Sequence, residues 1–201
     1  MNNLFNSGGF VMWPLLICSI TSLSCIFERF YYWRIIDWHN RNTLEIIIEK
    51  FMSHPNDSIK FLKQNKIYPM ARILIRVADY KNLDSESFHL ALTYAIQSSI
   101  KDIKKFDNLF STIITISPLL GLLGTILGLI KSFALLDLGK GDINSVGVTG
   151  GISEALVSTA AGLIVAIFTL MFANYFKSQS NNHISLIKEN SAKLELANSI
   201  K

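Results

Sequence analysis

The 201-residue chain carries 19 Lys+Arg against 15 Asp+Glu, a formal net charge of +4, and half of its residues are hydrophobic. Charged residues make up 17%, below the roughly 25% of an ordinary soluble domain, and segments 1–27, 108–130, 143–153 and 155–176 contain none. That excludes a simple water-soluble globule, and the apolar content excludes a disordered or collagen-like chain.

Residues 1–9 form a short arm before the first apolar run, Phe10–Phe27, FVMWPLLICSITSLSCIF. Its 18 residues are long enough to cross a hydrocarbon core of about 30 Å as a helix. Pro14 falls near its first turn, where a missing amide proton costs little. No Lys or Arg precedes Arg29, while Glu28-Arg29 and the aromatics Phe30, Tyr31, Tyr32 and Trp33 follow. A secretory signal has the opposite charge order, so a retained membrane helix with an interfacial belt is expected. Cys18 and Cys25 lie seven residues apart on that helix, a rise of about 10 Å that rules out a bridge between them. Both read as small apolar residues.

Residues 28–108 are charged and read as helical. Pro69 suits a helix start, after which Met70, Ile73, Leu74, Val77 and Ala78 share one face. Asp84 or Ser85 is placed to cap a second helix carrying Phe88, Leu92, Ile96, Ser99 and Ile103. No Pro or Gly interrupts it before Pro118, so one long helix is expected to run into the second span. That span is Leu109–Ile130, LFSTIITISPLLGLLGTILGLI; a short loop, 131–151, leads to the third, 152–176, and the tail 177–201 is expected to continue as a helix. The expected fold is an all-α membrane protein with three transmembrane helices, the second and third extended into the cytoplasm as long helices. Stretch 28–107 holds 13 Lys+Arg and the tail four Lys, which places both in the cytoplasm and the amino terminus outside.

Two stripes carry the chemistry. Gly121, Gly124, Thr125 and Gly128 recur at helical spacing in the second span, and Ala155, Thr159, Gly162 and Ala166 in the third. Small residues let helices approach closely in lipid. Glu154 stands near the outer end of the third span, with Ser158 one turn inward. It reads either as a proton-linked carboxyl or as a helix cap in the headgroup zone. An ionisable group in an apolar span is costly and by default functional, and one charge crossing 100 mV yields about 2.3 kcal/mol. Lys131-Ser132 follows Leu129-Ile130 without the Gly that a phosphate loop needs. The histidines, at 39, 54, 89 and 183, lack metal-site spacing. No catalytic constellation or nucleic-acid surface is legible, so neither enzyme activity, a cofactor, a metal nor a nucleic-acid partner is expected. A non-conducting three-helix scaffold stays open as a rival.

Ser117–Phe133, SPLLGLLGTILGLIKSF, and Gly150–Ile167, GGISEALVSTAAGLIVAI, resemble the second- and third-span patterns of the ExbB/TolQ/MotA-type proton-channel subunits, closest to ExbB/TolQ. The hydroxyls of Thr125, Ser158 and Thr159 can bind or pass protons through water, and the resemblance implies that Thr125 and Thr159 line a channel, with Glu154 facing it. Spacing gives Gly121, Gly124, Gly128, Ala155, Gly162 and Ala166 as helix-packing positions. The resemblance further implies a homo-oligomer, a pentamer, around single-span ExbD- or TolR-like partners in the bacterial inner membrane, with force passed to a TonB- or TolA-like protein. An ExbB-like import role is expected first, a TolQ-like role in envelope integrity second. Phe168 stands where the family commonly has Pro, Lys131 is unusual at its position, and three spans rather than four disfavour the MotA branch.

Overall fold

The computed structural model describes residues 9–37, 46–49, 51, 55–78, 85–137 and 145–199. Six main helices follow in order: α1 Met12–Asp37, α2 Pro55–Gln64, α3 Pro69–Val77, α4 Ser85–Ile103, α5 Asp107–Asp137 and α6 Ser145–Ser199. No strand occurs among the described residues. Three stretches are long and apolar enough to cross a membrane, within Met12–Ile36, Glu86–Ala134 and Val148–Leu196. The chain is an all-α membrane protein with three such helices.

Residues divide into two compact units, Met1–Phe27 with Phe106–Tyr175, and Glu28–Lys105 with Phe176–Lys201. Their interiors are chemically opposite. In the first unit, beyond Phe110 and Ile113 near the start of α5, the buried positions on α5 and α6 are small or hydroxyl-bearing, among them Gly121, Gly124, Gly128, Gly151, Ala155, Ser158, Gly162 and Ala166. Large apolar side chains such as Leu122, Ile126, Ile130, Leu156, Ile164 and Ile167 point outward and are exposed. In water this arrangement would waste the hydrophobic effect. In lipid it does not, because association there rests on close packing of helix backbones.

The second unit has the interior of a water-soluble domain. Ile47, Phe51, Leu62, Ile73, Leu74, Val77 and Leu92 are almost fully buried. Tyr68 precedes α3 in an extended conformation and Pro69 opens the helix, where the fixed φ of proline suits the first turn. The apolar stripe Met70, Ile73, Leu74 and Val77 faces inward, as its spacing requires. On α4, Phe88, Leu92, Ala95, Ser99 and Ile103 are buried. The later part of α6 adds Phe176, Ile184, Ile187 and Leu194. Asp84 lies outside the described residues, and α4 begins at Ser85.

One expectation is corrected. The helix through Ile103 does not continue unbroken into the next span: a turn occupies 104–106 and α5 restarts at Asp107. Arg29 lies at the break. Its guanidinium donates from Nη1 to the carbonyl of Ile103 at 3.0 Å and from Nη2 to that of Asp102 at 3.4 Å. In an unbroken helix those carbonyls would accept the amides four residues on. A buried arginine thus caps the last carbonyls of α4, where no amide four residues on continues the helix. By contrast, α6 runs unbroken from Ser145 to Ser199. Both α5 and α6 extend beyond the sequence-expected span limits, α5 to Asp137 and α6 back to Ser145.

Candidate ion-path residues on α5 and α6

The glycines of α5 lie against α6 with no room for a side chain. A Cβ on Gly121 would sit 3.0 Å from the Cα of Thr159, and one on Gly128 would sit 2.8 Å from the carbonyl oxygen of Gly151 and 2.9 Å from the Cβ of Ala155. From the other side, a Cβ on Gly162 would come within 2.5 Å of the Ser117 carbonyl oxygen. A Cβ on Gly124 would run into the Ser158 hydroxyl. The two small-residue stripes therefore meet each other within one chain.

Ser158 and Thr159 converge on one acceptor in this seam. The Thr159 hydroxyl donates to the Gly121 carbonyl at 2.9 Å. Ser158, fully buried, donates to Ala155 of its own helix at 2.8 Å and lies 3.5 Å from the same Gly121 oxygen. Thr125 does not join them; its hydroxyl donates to Leu122, one turn back, at 2.6 Å. Self-satisfaction of this kind is what an isolated threonine does in an apolar helix. Ser158 occupies the packing seam, while Thr125 and Thr159 are partly exposed at its edges.

Glu154 stands at the end of the seam. Its Oε2 accepts from Lys131 Nζ at 2.9 Å. The carboxylate side chain is 21% exposed and the lysine 65%. Its Oε1 lies against Gly9, whose φ of 70° and missing side chain allow the turn before α1 to pass there. Two unit charges 4 Å apart attract by about 1 kcal/mol in water and about 4 kcal/mol at an effective dielectric near 20. Even the lower figure favours pairing, because each charge alone is unwelcome at the end of an apolar span.

Several residues of this arrangement escape a reading by motif. Ser132 lies four positions after Gly128 and Gly151 four before Ala155, so both extend the stripes by one turn. The Ser132 hydroxyl donates to Gly128 at 3.0 Å and fills the space a Gly151 side chain would need. Helical spacing alone would have found them. Ser22 and Thr169 form a buried hydroxyl pair at 2.7 Å between α1 and α6, with no local signal in the sequence. Among the described residues, no cluster of three or more His, Cys, Asp or Glu could hold a metal.

The fold and seam define a helical membrane protein whose second and third apolar segments close on small residues, with one ion pair at the end. Residues 41–189 match the MotA/TolQ/ExbB proton channel family, and the chain belongs to that family. It is 46% identical over 191 residues to the Synechocystis sp. biopolymer transport protein ExbB-like 3, covering 94% of this chain and 91% of that protein. Likeness to ExbB-like 1 of the same organism is 32% over 198 residues, 96% of this chain and 76% of the relative. The Haemophilus influenzae Tol-Pal system protein TolQ is 32% identical over 91 residues, 45% of this chain and 40% of TolQ.

Proposed function

We propose that this chain is an ExbB-like proton-channel subunit of a bacterial inner membrane. With an ExbD-like single-span partner it uses the proton-motive force to energise a TonB-like protein for import across the outer membrane. The amino terminus is periplasmic, residues 28–108 and 177–201 are cytoplasmic, and copies of the chain assemble as a ring, a pentamer on the family resemblance. Thr125 and Thr159 line the ion path, and Glu154 faces it from the outer end.

The observation that carries the reading is Glu154, a carboxylate at the head of the charge-free run Ala155–Phe176, where an ionisable group is retained at a cost. Likeness along nearly the full chain to ExbB-like proteins, against less than half for TolQ, favours the import role over the Tol-Pal role. The test is Glu154→Gln in the native host. Membrane insertion and assembly size stay unchanged, while energy-dependent uptake is lost. Loss of envelope integrity with intact uptake would assign the Tol-type role instead, and full activity in both would refute a proton-linked glutamate.

A further inference from the structure

We infer that Lys101, Lys104 and Lys177 form a surface that holds the headgroups of anionic phospholipids in the cytoplasmic leaflet. The inference rests on the proposed topology, in which residues 28–108 and 177–201 lie on one side of the membrane.

The chain passes between its two compact units at Phe27/Glu28, Lys105/Phe106 and Tyr175/Phe176. Along the sequence these passages are where the outward-facing apolar side chains give way to charge. Lys101, Lys104 and Lys177 each lie within four positions of a passage, about 6 Å at the rise of a helix. That is shorter than the roughly 8 Å over which physiological salt screens a charge. Tyr31, just past the first passage, is 70% exposed, and tyrosine is enriched at the headgroup level.

The acids close to these passages are engaged elsewhere. Glu28 takes Arg29 at 3.3 Å and Lys105 at 3.6 Å, and Asp102 takes Arg72 at 2.9 Å. Asp107 lies in the first turn of α5, where the helix dipole favours a carboxylate. Lys101, Lys104 and Lys177 are exposed, and none of them pairs with a described acid. At the opposite end of the spanning helices the described lysine, Lys131, has its counter-ion in Glu154. The uncompensated cations are therefore on one side.

Three ammonium groups without an internal partner draw anions from outside. Their closeness to apolar surface selects among anions, because a phospholipid covers that surface with its acyl chains while its phosphate meets the lysines. A zwitterionic headgroup brings its own cation with the phosphate, and an anionic headgroup does not. Each lysine near an anionic lipid surface strengthens attachment by a factor of about five.

The test presents the full chain, in neutral detergent, with equal amounts of phosphatidylglycerol and phosphatidylcholine, and counts the lipids retained on it by native mass spectrometry. The native chain is expected to retain phosphatidylglycerol several-fold over phosphatidylcholine. The triple variant Lys101→Gln, Lys104→Gln, Lys177→Gln is expected to lose most of that preference, and the corresponding triple Lys→Arg variant to keep it. Lys60→Gln, Lys63→Gln, Lys66→Gln removes the same charge from exposed lysines that also pair with no described acid, and is expected to keep the preference as well. Equal retention of the two lipids by the native chain would overturn the proposal. So would equal loss in the two Gln variants, which would reduce the effect to net charge. Neither sidedness nor transport enters the readout, so it stands or falls apart from the topology and from the Glu154→Gln uptake assay.

Discussion

The guanidinium of Arg29 donates to the carbonyl oxygen of Ile103 at 3.0 Å, at the residue where α4 ends. Arg29 is 3% exposed, with Glu28 at 3.3 Å and the Tyr32 ring at 5.0 Å. Arg72 reaches the carboxylate of Asp102 at 2.9 Å, on the residue that precedes Ile103. Arg29→Met removes two charge-assisted bonds and leaves buried carbonyls behind, at a cost of about 1–3 kcal/mol. The expected outcome is a lower melting temperature in detergent, not fully restored by Arg29→Lys, whose compact ammonium lacks the planar, pre-organised fork of the guanidinium. An unchanged melting temperature would mean that the bonds of Arg29 to the end of α4 contribute no net stability.

The seam between α5 and α6 predicts a sharp asymmetry between inward and outward positions. Gly162→Leu drives a side chain into the Ser117 carbonyl and the Gly121 backbone, and overpacking of this kind costs about 1–3 kcal/mol or more. Ile164→Ala removes an outward, exposed side chain and leaves the seam untouched. Limited proteolysis of the purified chain is expected to digest the first variant faster than the native protein and the second at the native rate. Equal digestion of both would contradict the seam.

Ser22 and Thr169 offer a quantitative check. Interhelical hydrogen bonds in membranes average about 0.6 kcal/mol in double-mutant cycles. Ser22→Ala, Thr169→Val and the double variant, compared by thermal unfolding, are expected to show coupling of that order. The Thr169 hydroxyl also bonds to Val165 at 2.7 Å, so the residue retains a partner when Ser22 is gone. Strict additivity would mean that the pair contributes nothing.

What the sequence made legible followed from local pattern. The three spans were readable because charge is absent from long runs, and Pro69 with its apolar stripe marked α3. Glu154 was readable because it interrupts a charge-free stretch. The break after Ile103 was not readable, because no proline or glycine marks it, and the Arg29 side chain that caps it comes from 74 positions earlier, where the sequence offered it only as a flanking charge for topology. The Lys131 pairing was hidden for the same reason, since its partner lies beyond the connection between α5 and α6. Ser158 is legible as an ion-path candidate from its hydroxyl one turn inward of Glu154, whereas its burial in the seam against Gly124 depends on the distant α5. Local chemistry was legible and distant pairing was not.

The most direct test of the account is proton flux through the assembly purified from membranes, with whatever single-span partner accompanies it, and reconstituted into liposomes under an imposed pH gradient. The native assembly is expected to dissipate the gradient, and an assembly of Glu154→Gln, equal in size and partner content, to lose most of that flux. Flux in the Glu154→Gln assembly equal to the native value would contradict the placement of the ion path at Glu154.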